Sequence, residues 1–166
     1  MTNVALQPLI RDLAPQDRGR IEAITRATGV FREDEVAVAL EVFDASCRPD
    51  QTDYYTAGAE SGGRLAGWIC WGQTPCTEGT WDLYWMAVDP TVQGSGIGSA
   101  LVERLEARLA GKARLIMIDT SGRSDYANTR AFYQARGYSI AAVVPDFYAP
   151  NDDQVILFKK LAAPEE

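Results

Sequence analysis

The sequence predicts an α/β (α+β) fold in which about seven strands and about four helices follow the order βααβββαβαββ. Three observations lead to this prediction: a hairpin signature within residues 53–72, a strand–helix–strand pattern over residues 80–120, and two strand-like runs after the last helix. A hairpin pairs antiparallel strands and a strand–helix–strand unit pairs parallel ones, so the sheet should be mixed.

The first third of the chain predicts one strand and two helices. Residues 5–13 alternate loosely between apolar and polar side chains, as a strand does. A helix should begin around Pro15 and run to about Thr28, where Gly29 ends it. Residues 31–47 predict the second helix, because its first turn is acidic and one face is apolar at Val36, Ala39, Leu40 and Phe43.

The middle of the chain predicts a hairpin, a long strand and an amphipathic helix. Strands over residues 53–59 and 65–72 flank a turn that contains two glycines. After a loop, an apolar and aromatic run predicts a strand over residues 80–88, which Asp89-Pro90 ends. Apolar side chains then recur every four residues among charged ones, which predicts a helix over residues 97–109.

The last third predicts three strands and a helix. The strands cover residues 113–120, 138–144 and 155–161, and the helix covers residues 126–136. Residues 145–153 form a predicted loop rich in aromatic and acidic side chains, in which Asp152-Asp153 should be a solvated turn. Because no repeat or linker interrupts the pattern, residues 1–166 should form a single domain.

Composition excludes several classes of function. The chain has 166 residues, a net charge of −7, three cysteines and no histidine. Without histidine there can be no Ser-His or Cys-His nucleophile pair and no histidine-ligated metal, and we expect no metal site. The acidic balance argues against nucleic acid as a partner. The cysteines lack metal-site spacing, and we find no signal or membrane segment, so we expect a reduced, cytoplasmic protein without a membrane partner.

Three glycines follow the strand at residues 80–88 and lead into the first turn of the next helix: Gly94, Gly96 and Gly98. A helix start carries unpaired N–H groups and partial positive charge, and glycines let an anion approach the backbone closely. The turn is not a Walker A loop, because no Lys follows the glycines, and its spacing is not that of the dinucleotide fingerprint. It therefore predicts a phosphate site of another kind.

The segment Gln93-Gly94-Ser95-Gly96-Ile97-Gly98, after a strand ending in Ala-Val-Asp-Pro, resembles the Gln-x-x-Gly-x-Gly motif of the GNAT superfamily. Members of this superfamily are N-acetyltransferases that use acetyl-coenzyme A (acetyl-CoA), and the predicted element order is theirs along essentially the whole chain. The resemblance implies a central, mostly antiparallel, twisted sheet flanked by helices. It also implies that acetyl-CoA is the co-substrate and contacts the strand end and the turn, at Met86, Ala87, Val88, Gln93, Gly94, Ser95, Gly96, Ile97, Gly98 and Ser99.

Tyr133 is the candidate proton donor. It stands in Phe-Tyr-Gln-Ala-Arg-Gly-Tyr, similar to a family motif in which this tyrosine is the proposed general acid for the departing thiolate. A phenol, with a pKa near ~10, suits that role, although a tyrosine packed into the core would leave the same pattern. Seven residues earlier the family often has an asparagine that contacts coenzyme A. This chain has Tyr126 there and Asn128 two positions later, and these are the candidates for that contact.

Two carboxylates are candidates for the general base that removes the proton of the acceptor amine. Asp82 opens the strand before the glycine turn and Asp119 ends the next strand, at positions where members of the family carry a glutamate base. Each could instead be a solvated or capping aspartate. A water relay to a more distant carboxylate such as Glu78 is a third alternative.

An unusually aromatic set of residues could wall the acceptor pocket, and core packing or a dimer surface explains it equally well: Trp68, Trp71, Trp81, Tyr84, Trp85, Phe147 and Tyr148. Together with the motifs, the sequence predicts a cytoplasmic enzyme, monomeric or homodimeric. It would transfer acetyl directly to a primary amine of a small molecule or of a peptide or protein. The alternative is a non-catalytic regulatory module that binds acyl-CoA through the same fold.

Overall fold

The computed structural model describes residues 7–51 and 53–162, and these form the predicted order of strands and helices. The strands are β1 (Leu9–Arg11), β2 (Tyr55–Ser61), β3 (Arg64–Gln73), β4 (Thr80–Val88), β5 (Leu115–Ser121), β6 (Ser139–Ala149) and β7 (Asp152–Lys160). The helices are α1 (Arg18–Ala27), α2 (Glu33–Ser46), α3 (Ile97–Leu109) and α4 (Ala127–Gln134). Part of the predicted first strand, residues 5 and 6, lies outside the described residues.

All seven strands belong to one mixed sheet with the order β1-β2-β3-β4-β5-β7-β6. β4 and β5 pair in parallel, as the strand–helix–strand pattern predicted. The pairs β1–β2, β2–β3, β5–β7 and β6–β7 are antiparallel. The prediction of a mixed, mostly antiparallel sheet is therefore confirmed.

The chain divides into two units, and β4 contributes to both. The first unit comprises Met1–Gly72 and Trp85–Arg108, and the second comprises Gln73–Tyr84 and Leu109–Glu166. The prediction that residues 1–166 form a single domain stays a prediction.

The first unit builds its core on the two faces of β3. On one face, α1 and α2 pack against Trp68 and Cys70, which are fully buried. The other face meets α3, since a Cβ on Gly67 would lie 2.8 Å from Ile97 and 3.1 Å from Leu101. The apolar stripe of α3 is buried as its four-residue spacing predicted, with Leu105 fully enclosed. A glycine on β3 thus allows α3 to lie directly on the sheet.

The second unit is built from the start of β4, β5, α4 and the β6–β7 hairpin. Its buried side chains include Ile116 and Ile118 on β5 and Leu157 on β7, together with Tyr133 and Tyr138 around the end of α4. None of the helices within the described residues is both long and apolar enough to span a membrane.

The predicted loop over residues 145–153 is wrong, because β6 continues to Ala149 and β7 begins at Asp152. Asp146 and Asn151 adopt left-handed backbone conformations, with φ of 55° and 64°. The Asp146 N–H donates to an Asp153 carboxylate oxygen at 2.9 Å, and the Asn151 N–H donates to the Asp146 carboxylate at 2.7 Å. Side-chain carboxylates thus accept hydrogen bonds from backbone N–H groups where the β6–β7 register shifts. The segment therefore stays in the hairpin although it contains a proline.

Asp152 is also not the solvated turn residue that the sequence predicted. Only 5% of its surface is exposed, and it accepts hydrogen bonds from the Ser121 hydroxyl and, at 3.3 Å, from Arg123. A buried carboxylate needs such donors, and here β5 and the segment after it supply them. Asp152 therefore ties the start of β7 to the end of β5.

Candidate active site

Asp89 fixes the chain where β4 leaves the sheet, directly before the glycine turn. Its N–H donates to the Ala66 carbonyl at 2.8 Å. Its carboxylate accepts hydrogen bonds from the Thr91 N–H at 2.9 Å and the Thr91 hydroxyl at 2.7 Å, and from Arg20 of α1. These bonds favour the ionised form, so they lower the pKa of Asp89 from 3.8 to about 2. The carboxylate is an anchor for the turn.

The glycine turn takes a backbone shape that other residues adopt only with strain. Gly94 and Gly96 have φ of 81° and 85°, in the left-handed region. A Cβ at either position would meet nothing within 4 Å, so the backbone conformation, and not crowding by protein, requires glycine there. The Ser95 side chain donates to the Val92 carbonyl and closes the turn on itself. The open space beside both glycines leaves their backbone accessible.

The start of α3 has the features of a site for an anion. The first amides of a helix point toward its N-terminus and carry partial positive charge. Gln93, Gly94, Ser95 and Gly96 are exposed, Gly98 and Ser99 are half-buried, and the Ile97 side chain is buried in the core. Ile97 can therefore contribute only its backbone. A helix start with accessible amide groups suits a dianion, and the backbone N–H groups of this turn would hold it.

The turn borders an open groove of about 590 Å³ in the first unit, with Ser95, Gly96 and Ser99 along its lining. Arg104 of α3 also lines this groove. Its Nη2 lies 3.4 Å from Asp12, and its buried Nε has no hydrogen-bond partner among the described residues. Arg104 is a cation beside the turn that the sequence reasoning did not single out. Arg104 lies four residues after Ala100, so the two side chains share one face of α3 and line the same groove. This spacing is the sequence feature that indicates its position.

The end of β4 is held by packing, and the family resemblance implies that this segment contacts coenzyme A. Ala87 is buried, and Met86 and Val88 are half-buried. The Ala87 carbonyl lies 3.2 Å from where a Cβ of Gly67 would stand, so β4 and β3 approach closely here. Backbone groups of this strand end are thus held by packing on the sheet.

In the second unit the structure brings the two candidate bases onto one face of the sheet. Asp82 lies opposite Met117 in the parallel β4–β5 pairing, and Asp119 follows Met117 by two residues. The Thr74 hydroxyl donates to Asp82 Oδ2 at 2.6 Å. Asp119 is hydrogen-bonded by the side chain of Gln154 from β7. Thr74 and Gln154 are residues that the sequence reasoning missed, since only the fold places them beside the carboxylates.

The environment of Asp119 raises its pKa. The larger cause is the loss of hydration beside neighbouring protein, and the second is the negative charge of Asp82, while the bond from Gln154 acts in the opposite direction. Asp119 nevertheless remains open to solvent. A reachable carboxylate whose proton affinity is increased is suited to general-base chemistry.

Tyr133 lies in the interior of the second unit, with 3% of its surface exposed. Its ring meets Phe132 at 5.2 Å and Tyr138 at 5.8 Å between centroids, both edge-on. Burial raises the pKa of its phenol, so the hydroxyl keeps its proton at neutral pH. Packing and proton donation are therefore both compatible with this position.

Tyr126 and Asn128 lie at the start of α4. Tyr126 ends a short 3₁₀ segment, Ser124–Tyr126, and Arg123 stands over its ring at 5.2 Å. Asn128 is exposed in the first turn of α4. Arg130 donates to the backbone carbonyls of Ser121 and Arg123 at 2.6 and 3.0 Å, which fixes the loop before the helix. Of the two candidates, Asn128 has the more accessible side chain.

The members of the aromatic set differ in burial and in partners. Trp68 is core: it contacts Phe43 edge-on and donates to the Thr25 hydroxyl at 3.0 Å. Other members pair within their own unit, with Trp85 against Phe31, Trp71 stacked on Tyr55, and Tyr148 against Phe147. Phe147 stays 54% exposed and Tyr84 38% exposed. The core-packing alternative therefore accounts for Trp68, and Phe147 and Tyr84 remain at the surface.

No cluster of three or more histidine, cysteine or acidic side chains able to hold a metal ion occurs within residues 7–51 and 53–162. The three cysteines are all free thiols, with Cys70 buried, Cys47 half-buried and Cys76 exposed. Burial raises the pKa of the Cys70 thiol to about 12, so it is no nucleophile at neutral pH.

Comparison with known proteins gives a consistent result. The model of the acetyltransferase (GNAT) family matches residues 20–138. A GNAT-family protein of known structure from Desulfovibrio desulfuricans is 37% identical, with a TM-score of 0.87 over 93% of this chain and 99% of that one. The blasticidin-S acetyltransferase of Streptomyces morookaense is 36% identical over 80 residues, which are 48% of this chain and 55% of that protein.

A protein from Salmonella typhimurium, solved with acetyl-CoA, shares the fold at a TM-score of 0.73 over 96% of this chain and 98% of that one, with 19% identity. The matches to curated relatives span 55 to 64% of the length of those relatives. The family match includes the glycine turn, both candidate carboxylates and Tyr133.

Proposed function

Because the chain belongs to the acetyltransferase (GNAT) family, we propose that it transfers the acetyl group of acetyl-CoA directly to a primary amine. The acceptor would be a small molecule or a peptide or protein. The observation that carries this proposal is the glycine turn: Gly94 and Gly96 are left-handed and uncrowded, directly before a 13-residue helix. The acetyl-CoA in the Salmonella relative and the activity in the name of the Streptomyces relative support it.

The turn and the strand end would hold the cofactor through backbone groups. The amides from Gly94 to Ser99 would bind the pyrophosphate, and backbone groups from Met86 to Val88 would contact another part of the cofactor. When bound, acetyl-CoA supplies a thioester, whose acetyl group is activated for transfer to nitrogen. The residues of this chain have to bind it, present the acceptor and move two protons.

The two proton transfers fall to different groups. An amine reacts only as the free base, so a carboxylate, Asp119 or Asp82, accepts one proton from the acceptor ammonium. Tyr133 would donate a proton to the departing sulfur, since its phenol is protonated at neutral pH. The chain has no histidine to activate a cysteine or serine as a nucleophile, which favours direct transfer without an acyl-enzyme. We place this enzyme in the cytoplasm, as a monomer or homodimer.

The first test is thermal unfolding with increasing acetyl-CoA. A ligand that binds the native state raises the unfolding midpoint with concentration, by an amount equivalent to about 2.7 kcal/mol at 100 times Kd. Gly96→Val should abolish the rise, because a β-branched side chain at a φ of 85° distorts the turn. Gly111→Val is the matched control: its φ is 74°, it also faces open space, and it follows the other end of α3. A rise that survives Gly96→Val, or its absence in the unmutated protein, would contradict the proposal.

The second test separates an enzyme from a module that only binds acyl-CoA. Thiol release is followed with a panel of amines for the unmutated protein and for Tyr133→Phe. Phenylalanine keeps the packing against Phe132 and Tyr138 but has no proton to give, so turnover should fall by about a hundredfold or more with the acetyl-CoA shift unchanged. Full turnover in Tyr133→Phe would remove this residue from the mechanism. Binding without turnover for any amine would favour the regulatory module.

A further inference from the structure

β6 is the last strand of the sheet, and almost all of it is exposed. It pairs with β7 along one edge, and no strand within residues 7–51 and 53–162 pairs with its other edge. Of its 11 residues only Tyr148 is half-buried, and the others are exposed. An exposed strand edge presents backbone N–H and C=O groups that can pair with a strand of another chain.

Four large apolar side chains of β6 are exposed, and they continue the core of the second unit: Ile140, Val143, Val144 and Phe147. The register pairs Val143 with Val155 and Ile140 with Leu157, both of which are buried. An apolar row that begins inside the unit therefore extends to the open edge of the sheet. Val144 lies on the opposite face, because side chains alternate along a strand. A strand placed beside β6 would cover apolar side chains on both faces.

The centre of β6 has no charge to prevent such pairing. Asp146 is the only charged residue of the strand, and its carboxylate accepts the Asn151 N–H. Soluble proteins often protect an exposed edge with lysine or another charged residue, and residues 139–145 contain none. Pro145 has no N–H, and the register shifts on both sides of residues 142–144. The regular edge is therefore short and centred on Val143.

The two ends of β6 carry opposite charges. Beside its start, the Lys159 side chain lies 3.6 Å from where a Cβ of Gly137 would stand, and exposed Lys160 follows. At its far end the Asp146 N–H donates to the Asp153 carboxylate at 2.9 Å, so two acids lie together. A two-fold axis across β6 turns a second copy antiparallel, which places the basic end of each copy near the acidic end of the other. A second copy of the chain is therefore the partner that this edge fits.

We propose that the chain forms a homodimer in which β6 pairs antiparallel with β6 of a second copy, about a two-fold axis near Val143. The strand is at most about 37 Å long. With side chains on both faces it offers an area of the order that a stable interface needs, about 800 Å² per partner. None of its residues belongs to the proposed cofactor site or to the proton-transfer groups, so the inference does not depend on the proposed function.

The test is the mass of the protein in solution, measured by sedimentation velocity over a range of concentrations. The unmutated protein should reach twice the mass of one chain. Val143→Asp places like charges together at the axis, so it should weaken the dimer by about a hundredfold or more. Val38→Asp is the matched control, because Val38 lies on α2 and is 48% exposed against 50% for Val143. It should leave the dimer intact.

Circular dichroism shows whether each variant is folded. Should Val143→Asp not fold, Val144→Lys makes the same comparison from the opposite face of the strand. A folded Val143→Asp or Val144→Lys protein that remains a dimer at the concentrations of the unmutated protein would overturn the inference.

A cysteine near the axis tests the antiparallel orientation. Cys76 is the exposed thiol of the chain, so the experiment starts from Cys76→Ser. In that background Val143→Cys brings two thiols together across the axis, and mild oxidation should link the two copies covalently. Val38→Cys in the same background should give no linked dimer. Absence of the link for Val143→Cys would contradict pairing about this axis.

Reversing one charge tests the opposed ends. Lys160→Glu brings a carboxylate near the acidic end of the other copy and should weaken the dimer by about threefold to tenfold. Lys112→Glu changes the net charge equally at an exposed lysine after α3 and should have a smaller effect. Equal effects of the two variants would contradict the proposed orientation.

The oligomeric state and acetyl-CoA binding can fail separately. A protein that is monomeric at every concentration overturns the dimer and leaves β6 to a partner of another kind. If that monomer still shows the acetyl-CoA shift and thiol release, the proposed function stands. A dimer that shows neither retains this inference, and only the proposed function fails.

Discussion

Asp89 illustrates how one residue can serve a site without touching a substrate. It receives the Thr91 N–H and hydroxyl and the Arg20 guanidinium, and these bonds are lost when the chain unfolds. Its pKa is about 2 in the folded protein against 3.8 for the ordinary group. Because the folded pKa is the lower one, the stabilisation is fully present above about pH 4 and disappears as the pH falls through 2.

Asp89→Asn should therefore lower the free energy of unfolding at pH 7 by on the order of 1 to 2 kcal/mol. It should also flatten the dependence of stability on pH between about 4 and 2, since the group that titrates there is gone. Urea unfolding at a series of pH values measures both effects. Asp50→Asn, at an exposed aspartate, is the control and should change little. Equal pH profiles for Asp89→Asn and the unmutated protein would show that Asp89 is not the anchor.

The role of a residue could be predicted from the sequence only where it depends on residues that are adjacent in the chain. The glycines of the turn could be identified because the strand, the turn and the helix are contiguous. Thr74 and Gln154 could not, because Thr74 reaches Asp82 through the conformation of the loop before β4, and Gln154 reaches Asp119 through the pairing of β5 with β7. Asp152 was misjudged for the same reason: its donors, Ser121 and Arg123, lie about 30 residues earlier in the chain.

At the scale of elements, the position of α3 depends on the absence of a side chain at Gly67. A methyl group there would lie 2.8 Å from the Ile97 side chain, 3.1 Å from Leu101 and 3.2 Å from the Ala87 carbonyl. A separation of 2.8 Å between a Cβ atom and a side-chain carbon is a steric clash, so α3 would have to move away from β3. Ile97 is the first residue of α3, so the glycine turn would move with it.

Gly67→Ala should therefore destabilise the protein by about 1 to 3 kcal/mol and weaken acetyl-CoA binding. Gly19→Ala is the matched control, because it adds the same methyl group in α1 with nothing within 4 Å. It should leave acetyl-CoA binding unchanged and stabilise the protein by up to about 1 kcal/mol. Chemical denaturation and acetyl-CoA titration report the two effects. Similar stabilities for the two variants would show that β3 and α3 are less closely packed than described.

Element boundaries followed from periodicity wherever apolar spacing was regular. The stripe from Ile97 to Leu109 and the apolar face of α2 are buried as predicted. The β6–β7 hairpin was cut short because Pro145 and the acids after it are typical of a loop. In the structure, side-chain carboxylates accept hydrogen bonds from backbone N–H groups there, in place of carbonyls of the partner strand. The pattern of apolar residues does not reveal such bonds.

At the scale of the whole molecule, element order was predictable and the division into two units was not. The order follows from local patterns taken one after another. The division runs through β4, between Tyr84 and Trp85, in the middle of one continuous apolar strand. Nothing in that run marks a boundary, because the division depends on which distant segments pack against each half of the strand.

The net charge of −7 leads to a prediction about the acceptor. A negatively charged protein attracts a cation over the screening length, which is about 30 Å at 0.01 M salt and about 8 Å at 0.15 M. For an aliphatic amine, which is an ammonium ion at neutral pH, kcat/KM should therefore fall by up to about tenfold between these two salt concentrations.

An arylamine of similar size is uncharged at neutral pH, so its kcat/KM should stay nearly constant over the same range. Comparing the two acceptors on the same protein sample removes any effect of salt on acetyl-CoA binding, which both reactions share. Equal salt dependence for both acceptors would mean that the acidic balance of the chain has no part in attracting the substrate and serves solubility alone.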